Sequence, residues 1–297
     1  MFGKTRQGYY QREKYAYKEV VKDEILLSMV QKIRKSMSQI GGQKLHDMLA
    51  PTLKDELIIG RDSFFDLLRR EGLLIRKRKN KPKTTDSRHW LRKYPNLIKD
   101  FVPTKAHQLW VSDITYLEIV GGGFVYLFLI TDAYSRKIIG WSLSETLEAD
   151  NAVDALKMAI SQLPDETENL IHHSDRGSQY CSSKYVNELR KNNILISMTE
   201  NGDPRENAIA ERVNGILKTE WLNHKLLIDK EFASNEVSRV ILIYNTIRPH
   251  SSINMLTPEQ AHNLEGFIPK RWKNYRLEKF LLRKEKEETE NTINNKL

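Results

Sequence analysis

Apolar residues recur at helical spacing through residues 18–71: Val20, Val21, Ile25, Leu26, Met29, Val30 and Ile33, then Leu45, Met48 and Leu49 after Gly41-Gly42 breaks the run. This predicts two helices. A third is expected to start at Asp62-Ser63, which offers capping oxygens, and to carry Phe64, Phe65, Leu67 and Leu68 towards Gly72.

Beyond residue 103 the apolar runs become short, β-branched and aromatic. Residues 108–119 and 124–131 flank Gly121-Gly122-Gly123 as a hairpin would, and residues 137–143 supply a third strand. Residues 149–163 read as helix, 170–173 as strand, 182–192 as helix, 194–198 as strand and 207–221 as helix. A further amphipathic helix covers 232–247, and Thr257-Pro258-Glu259-Gln260 marks another start, with a cap and a proline at the first position. Three strands followed by helix-strand-helix-strand-helix predict a mixed five-stranded sheet with flanking helices. The expected fold class is therefore α/β, a ribonuclease-H-like core preceded by an all-α segment.

Charge divides the chain in the same place. Residues 1–100 hold 24 Lys and Arg against 12 Asp and Glu, so a net +12 sits in front of a remainder of −3 in a total of +9. Nine of these cations fall between Arg76 and Lys93 against the single acid Asp86, among them Arg76, Lys77, Arg78 and Lys79. We read this stretch as a linker that tracks a phosphate backbone, and the three helices before it, with Arg69 and Arg70 on the last, as helix-turn-helix-like and DNA-contacting. The competing reading is that the cations only solubilise the first domain. The expected division is 1–75 helical, 76–102 basic linker, 103–265 α/β core and 266–297 charged tail. The single cysteine, Cys181, excludes a disulfide framework and a cysteine-based zinc cluster, and no apolar run reaches bilayer length. The expected compartment is cytoplasmic and nucleoid-associated, with no membrane partner.

Three acids stand out by context: Asp113 inside an apolar strand, Asp175 at the end of another strand, and Glu211 on a helix. Carboxylates so placed can hold two metal ions roughly 3.5–4 Å apart, the arrangement that stabilises both oxygens of a phosphoryl transfer. An ionised Asp113 among large apolar neighbours is costly unless paired or metal-bound, whereas Asp132, in Asp132-Ala133-Tyr134-Ser135, looks like a turn former. Asp175 could equally be a turn residue, with Gly177 supplying an unusual backbone angle. On the last core helix, Ile209, Val213, Ile216 and Leu217 form the arc expected to face the sheet. Glu211 falls nearly opposite, with Asn207, Asn214 and Lys218. A zinc site at His172 and His173 is not expected, for want of further ligands.

Five segments in order, Trp110 to Tyr116, Asp132 to Trp141, His173 to Tyr180, Glu206 to Arg212 and Tyr244 to His250, resemble the core of retroviral-integrase-type transposases. The similarity spans about residues 105–263 and is greatest to the second-frame protein of insertion-sequence family three. The first hundred residues resemble that family's helix-turn-helix segment more loosely. The resemblance implies that Asp113, Asp175 and Glu211 are a catalytic triad binding two Mg²⁺ ions, with Mn²⁺ as a substitute, and that Lys218 contacts element DNA. Asn207, Arg176 and the cations Arg76, Lys77, Arg78 and Lys79 are the other expected DNA contacts. It implies a DNA transposase that cuts at terminal inverted repeats with water and joins the freed 3′-hydroxyl to target DNA, without a covalent protein–DNA intermediate. It also implies a homo-oligomer on DNA and a first-frame protein as partner, since that part supplies a leucine zipper and this sequence has no such heptad stretch. Two alternatives remain: a catalytically silent DNA-binding regulator and a ribonuclease-H-like nuclease.

Overall fold

Gly121, Gly122 and Gly123 have φ of 91°, 98° and 107°, a region L side chains rarely enter, and there the chain reverses between two long strands. The computed structural model describes residues 6–75, 90–99, 101–165, 167–200 and 204–271. Arg76, Lys77, Arg78 and Lys79, and most of the expected tail, lie outside them. The strands are β1 (Leu109–Glu118), β2 (Phe124–Asp132), β3 (Ile138–Ser144), β4 (Ile171–Ser174) and β5 (Leu195–Met198). They form one sheet in the order β3-β2-β1-β4-β5. β1, β2 and β3 are antiparallel, and β4 and β5 run parallel to β1. This is the ribonuclease-H-like α/β arrangement that the element order predicts.

The helices are α1 (Arg6–Ser36), α2 (Gly42–Leu49), α3 (Arg61–Arg70), α4 (Ala149–Ile160), α5 (Ser178–Cys181), α6 (Ser183–Lys191), α7 (Ala208–Glu220), α8 (Lys230–Thr246) and α9 (Pro258–His262). Strand alternation assigns them to two faces. Phe128 and Ile130 of β2 enter a buried cluster with Leu156 of α4 and Leu189 of α6. Leu127 and Leu129 enter another with Val213 and Leu217 of α7 and Val237 and Tyr244 of α8. Gly140 of β3 lets α4 lie close, since a Cβ there would meet the Ala155 carbonyl oxygen at 2.2 Å.

Several boundaries depart from the sequence reading. α1 begins at Arg6, not residue 18, because the polar, tyrosine-rich stretch contains no proline to stop a helix. α3 starts after Gly60 without a side-chain cap, and Asp62 lies in its first turn, where its charge favours the helix dipole. The polar run after Gly177 forms α5, and Ser182 caps α6 through the Tyr185 N–H. At α9 the expected cap is a full capping box between Thr257 and Gln260.

The helical front does not stand apart from the sheet. Val30, Met37, Ile40, Leu45, Leu49, Phe64 and Leu68 share the buried cluster that contains Val213, Leu217, Trp221 and Val237. Trp221 Nε1 donates to the Ser36 carbonyl at 2.8 Å, and Lys44 Nζ lies 3.9 Å from Glu220. Glu220, at the C-terminal end of α7, accepts from Arg248 Nε at 2.7 Å and Nη2 at 2.6 Å, with Arg248 only 1% exposed. Arg248 also donates from Nη1 to His250 Nε2 at 2.8 Å. Removing one partner of such a pair strands the other charge. Arg248→Ala should therefore destabilise the protein by about 3–5 kcal/mol, read as a lower urea midpoint, with Arg248→Lys retaining only part of the loss.

Candidate active site

The parallel ladder between β1 and β4 runs from Leu109↔Ile171 to Ser112↔Ser174 and stops. The next residue along each strand is an aspartate: Asp175 just beyond the end of β4, and Asp113 within β1, which continues to Glu118 paired only with β2. Both aspartates line a cavity of about 540 Å³ with Thr115, Tyr116, Phe124, Tyr126, Leu147 and Gln179. Burial, then the negative charge of Asp175, push the Asp113 carboxyl up to about 7, against the opposing hydrogen bonds from Asn214 and the Ile114 N–H. Glu211 adds a smaller push in the same direction. Asp113 Oδ2 accepts from Asn214 Nδ2, and Oδ1 from Ile114 N, both at 2.9 Å.

Asp175 Oδ1 accepts from Gly177 N at 2.9 Å. The expected unusual angle at Gly177 is absent, since its φ is −60° and ψ 145°. Its small size has another use: a Cβ there would lie 3.0 Å from Asp175 Oδ1 and 3.2 Å from Gln179 Oε1. Glycine leaves room for the carboxylate.

α7 carries Glu211 in its first turn, exposed to solvent. Val213, Ile216 and Leu217 are buried as expected and Ile209 only in part. The polar stripe, however, does not face away from the sheet. Asn207 Nδ2 donates to Ser112 O at 2.9 Å, Asn214 holds Asp113, and Lys218 Nζ donates to Thr115 Oγ1 at 3.1 Å and Tyr116 O at 2.9 Å. The Lys218 ammonium also lies 4.3 Å from the centroid of the Tyr116 ring. α7 thus supplies donors along the part of β1 where pairing to β4 ends. Asn207 is buried and its amide is bonded to the strand backbone, and Arg176 is half-buried beside Asp175. Among the described residues no three of His, Cys, Asp and Glu gather closely enough to hold a metal ion. The structure brings Asp113 and Asp175 together and leaves Glu211 outside that pair. Two carboxylates facing one cavity, one of them raised by burial and then by the charge of the other, nevertheless fit a hard divalent cation.

The neighbouring polar residues have structural partners. Asp132 Oδ1 accepts from Tyr134 N, Ser135 N and Ser135 Oγ, and Oδ2 from His107 N, the turn expected of it. His172 Nε2 lies 2.7 Å from Ser112 Oγ and 2.8 Å from Tyr185 Oη, and His173 Nδ1 lies 2.8 Å from Ser197 Oγ. Burial lowers these histidines to about 3 and about 4. Cys181 is buried and its thiol is pushed up to about 11. Asn214 went unassigned in the sequence, although its position three residues after Glu211 on a helix was the available signal. The aromatic lining had no signal, because alternating aromatics read as ordinary strand.

Models of the integrase core domain match residues 103–204 and 192–258. The 31 kDa protein of insertion element IS600 from Shigella sonnei is 32% identical over 263 residues, covering 87% of this chain and 94% of that one. Transposase InsF of insertion sequence IS3A from Escherichia coli strain K12 is 36% identical over 198 residues, 66% of this chain and 68% of its own. The chain belongs to the IS3 family of transposases. As an IS3-family transposase it is a DDE polynucleotidyl transferase with an integrase catalytic core, acting in DNA transposition. Divalent-metal dependence, DNA binding and oligomeric assembly on DNA are general to such transposases. Solved structures similar to it include the catalytic core of human T-lymphotropic virus 2 integrase with magnesium, at TM-score 0.44 and 18% identity, covering 55% of this chain and all (100%) of that one. The simian T-cell lymphotropic virus intasome chain has TM-score 0.48 and 17% identity, with 82% and 78% covered. No described helix of the transposase is long and apolar enough to cross a membrane.

The raised Asp113 carboxyl makes a pH prediction. With a folded pKa near 7 against about 3.8 unfolded, the native state holds the extra proton between those values. Metal-free stability should therefore fall as pH rises from about 4 to 7. Mg²⁺ should bind more tightly over the same window as the proton leaves. Thermal melts with and without Mg²⁺ across pH 4–8 check this, and Asp113→Asn should remove both trends.

Proposed function

We propose that Asp113, Asp175 and Glu211 hold two Mg²⁺ ions, or Mn²⁺ in their place, and that the protein uses them to cut its element's terminal inverted repeats and join the ends to target DNA. The observation that carries the assignment is the raised Asp113 carboxyl beside Asp175 in one cavity. When bound, the ions would offset phosphate charge and lower the pKa of the attacking water or 3′-hydroxyl. Asn214 fixes one oxygen of Asp113 and so leaves the carboxylate a set direction. Glu211, exposed in the first turn of α7, is free of the packed core and reaches the aspartates by side-chain rotation.

In the cutting step water forms a bond to phosphorus and the P–O3′ bond breaks, leaving a 3′-hydroxyl and a 5′-phosphate. In the joining step that hydroxyl attacks a target phosphodiester and the target's own 3′-oxygen leaves. No side chain becomes bonded to DNA. Lys218 sits on the Thr115–Tyr116 wall of the cavity, where a cation can meet the phosphate of the bound strand. Arg176 and the linker cations Arg76, Lys77, Arg78 and Lys79 extend this contact, while Asn207, buried and bonded to the Ser112 carbonyl, holds α7 in place instead of meeting DNA. The first-frame protein of the element supplies the remaining recognition, and the complex works as a homo-oligomer in the cytoplasm at the nucleoid.

Asp113→Asn, Asp175→Asn and Glu211→Gln should each abolish cleavage and joining of labelled repeat ends in Mg²⁺ while leaving DNA affinity within a few-fold of the parent. Normal joining by any one of them removes that residue from the chemistry. Changing Arg76, Lys77, Arg78 and Lys79 together to alanine should flatten the slope of log affinity against log salt by about 0.9 for each lost phosphate contact. Titrations at several salt concentrations read this directly, and an unchanged slope rejects the linker assignment.

A further inference from the structure

The cavity that holds Asp113 and Asp175 is not a purely ionic site. Tyr116, Phe124 and Tyr126 line it together with the aspartates, and Tyr116 and Tyr126 are directly opposite in the β1–β2 ladder. Phe124 packs edge-on against Tyr116, with ring centroids 5.2 Å apart at 83°. It remains 48% exposed although it starts a central strand. An aromatic ring left half in water, next to a site for phosphate, is uncovered apolar surface that packing within this chain does not account for. Gln179, Ser178 and Thr115 line the same cavity and offer amide and hydroxyl groups.

We propose that this wall is a nucleobase pocket, in which the base of a nucleotide next to the scissile phosphate leaves the duplex and stacks on Phe124 and its tyrosine neighbours. The inference rests on the reading of Asp113 and Asp175 as the end of the cavity that receives phosphate. A base still stacked in a duplex cannot present its face to a side chain, so occupancy requires extrusion or an already opened end. Aromatic rings accept the face of any base, which gives grip without sequence preference. A cavity near 540 Å³ lies within the size range of small-ligand pockets, and its acid end and aromatic end match the phosphate and base of one nucleotide.

The test uses the full chain and repeat-end duplexes in Ca²⁺, so that affinity is read by anisotropy without turnover. Each of the three nucleotides flanking the cleavage site is made unpaired, with either its base present or an abasic residue in its place. At one of these positions the parent should bind the base-containing end at least about fivefold tighter than the abasic end. Phe124→Ala should lose that difference, and Phe124→Tyr should keep it. Far-ultraviolet circular dichroism of Phe124→Ala should match the parent, because the ring is half exposed. Equal affinity for base and abasic ends in the parent at all three positions overturns the pocket, as does an undiminished preference in Phe124→Ala. Joining in Mg²⁺ is scored separately: a parent that prefers the base but never joins ends would refute the catalytic reading and leave the pocket standing.

Discussion

Two carboxylates are forced together by a backbone register. The pairing of Ser112 with Ser174 is the last step of the β1–β4 ladder, and the residue after each is an aspartate. Neither strand can slip by one position without turning its apolar set to the wrong face, so the cores on both sides of the sheet hold the acids in place against their repulsion. Burial first, and the charge of Asp175 second, raise the Asp113 carboxyl in this arrangement. Much of the surrounding polar structure follows from it: Asn214 donates to one carboxylate, Gly177 leaves space beside the other, and the buried histidines bond to hydroxyls and stay neutral.

The second constraint is the shared interior of the helical front and the sheet. A basic N-terminal segment followed by a linker reads as a separable module, and a fragment starting near residue 103 would then fold alone. Val30, Leu45 and Phe64 instead belong to the cluster that holds Val213, Trp221 and Val237. Removing the front would bare the α7 and α8 side of the sheet. The charge step in the sequence therefore marks a change of composition and not a break in the core.

The sheet was legible because its strands are bounded by strong signals, the three glycines between β1 and β2 above all. Asp113 was legible because a carboxylate in an apolar run demands a reason, and Asp132 because its neighbours are turn residues. The polar face of α7 was not legible. Helical periodicity separates polar from apolar positions but cannot say that Asn207, Asn214 and Lys218 meet a strand whose pairing has ended. The role of Gly177 was not legible for a related reason, since the space it leaves depends on where Asp175 turns and not on the local chain. The start of α1 was missed because a polar stretch has no apolar period to read.

α7 is secured near both ends, by Asn207 to the Ser112 carbonyl and by Glu220 to Arg248. A helix tied in this way does not slide or tilt cheaply. Glu211 lies between the two ties, so in the proposed function its approach to the aspartates would fall to the side chain and not to a movement of the helix. Exposed side chains change rotamer in picoseconds to nanoseconds, whereas collective movements of whole elements take microseconds or longer. On the proposed assignment, completion of the acidic site would then be decoupled from the slow handling of long DNA, with the acid free to sample orientations many times during a single encounter.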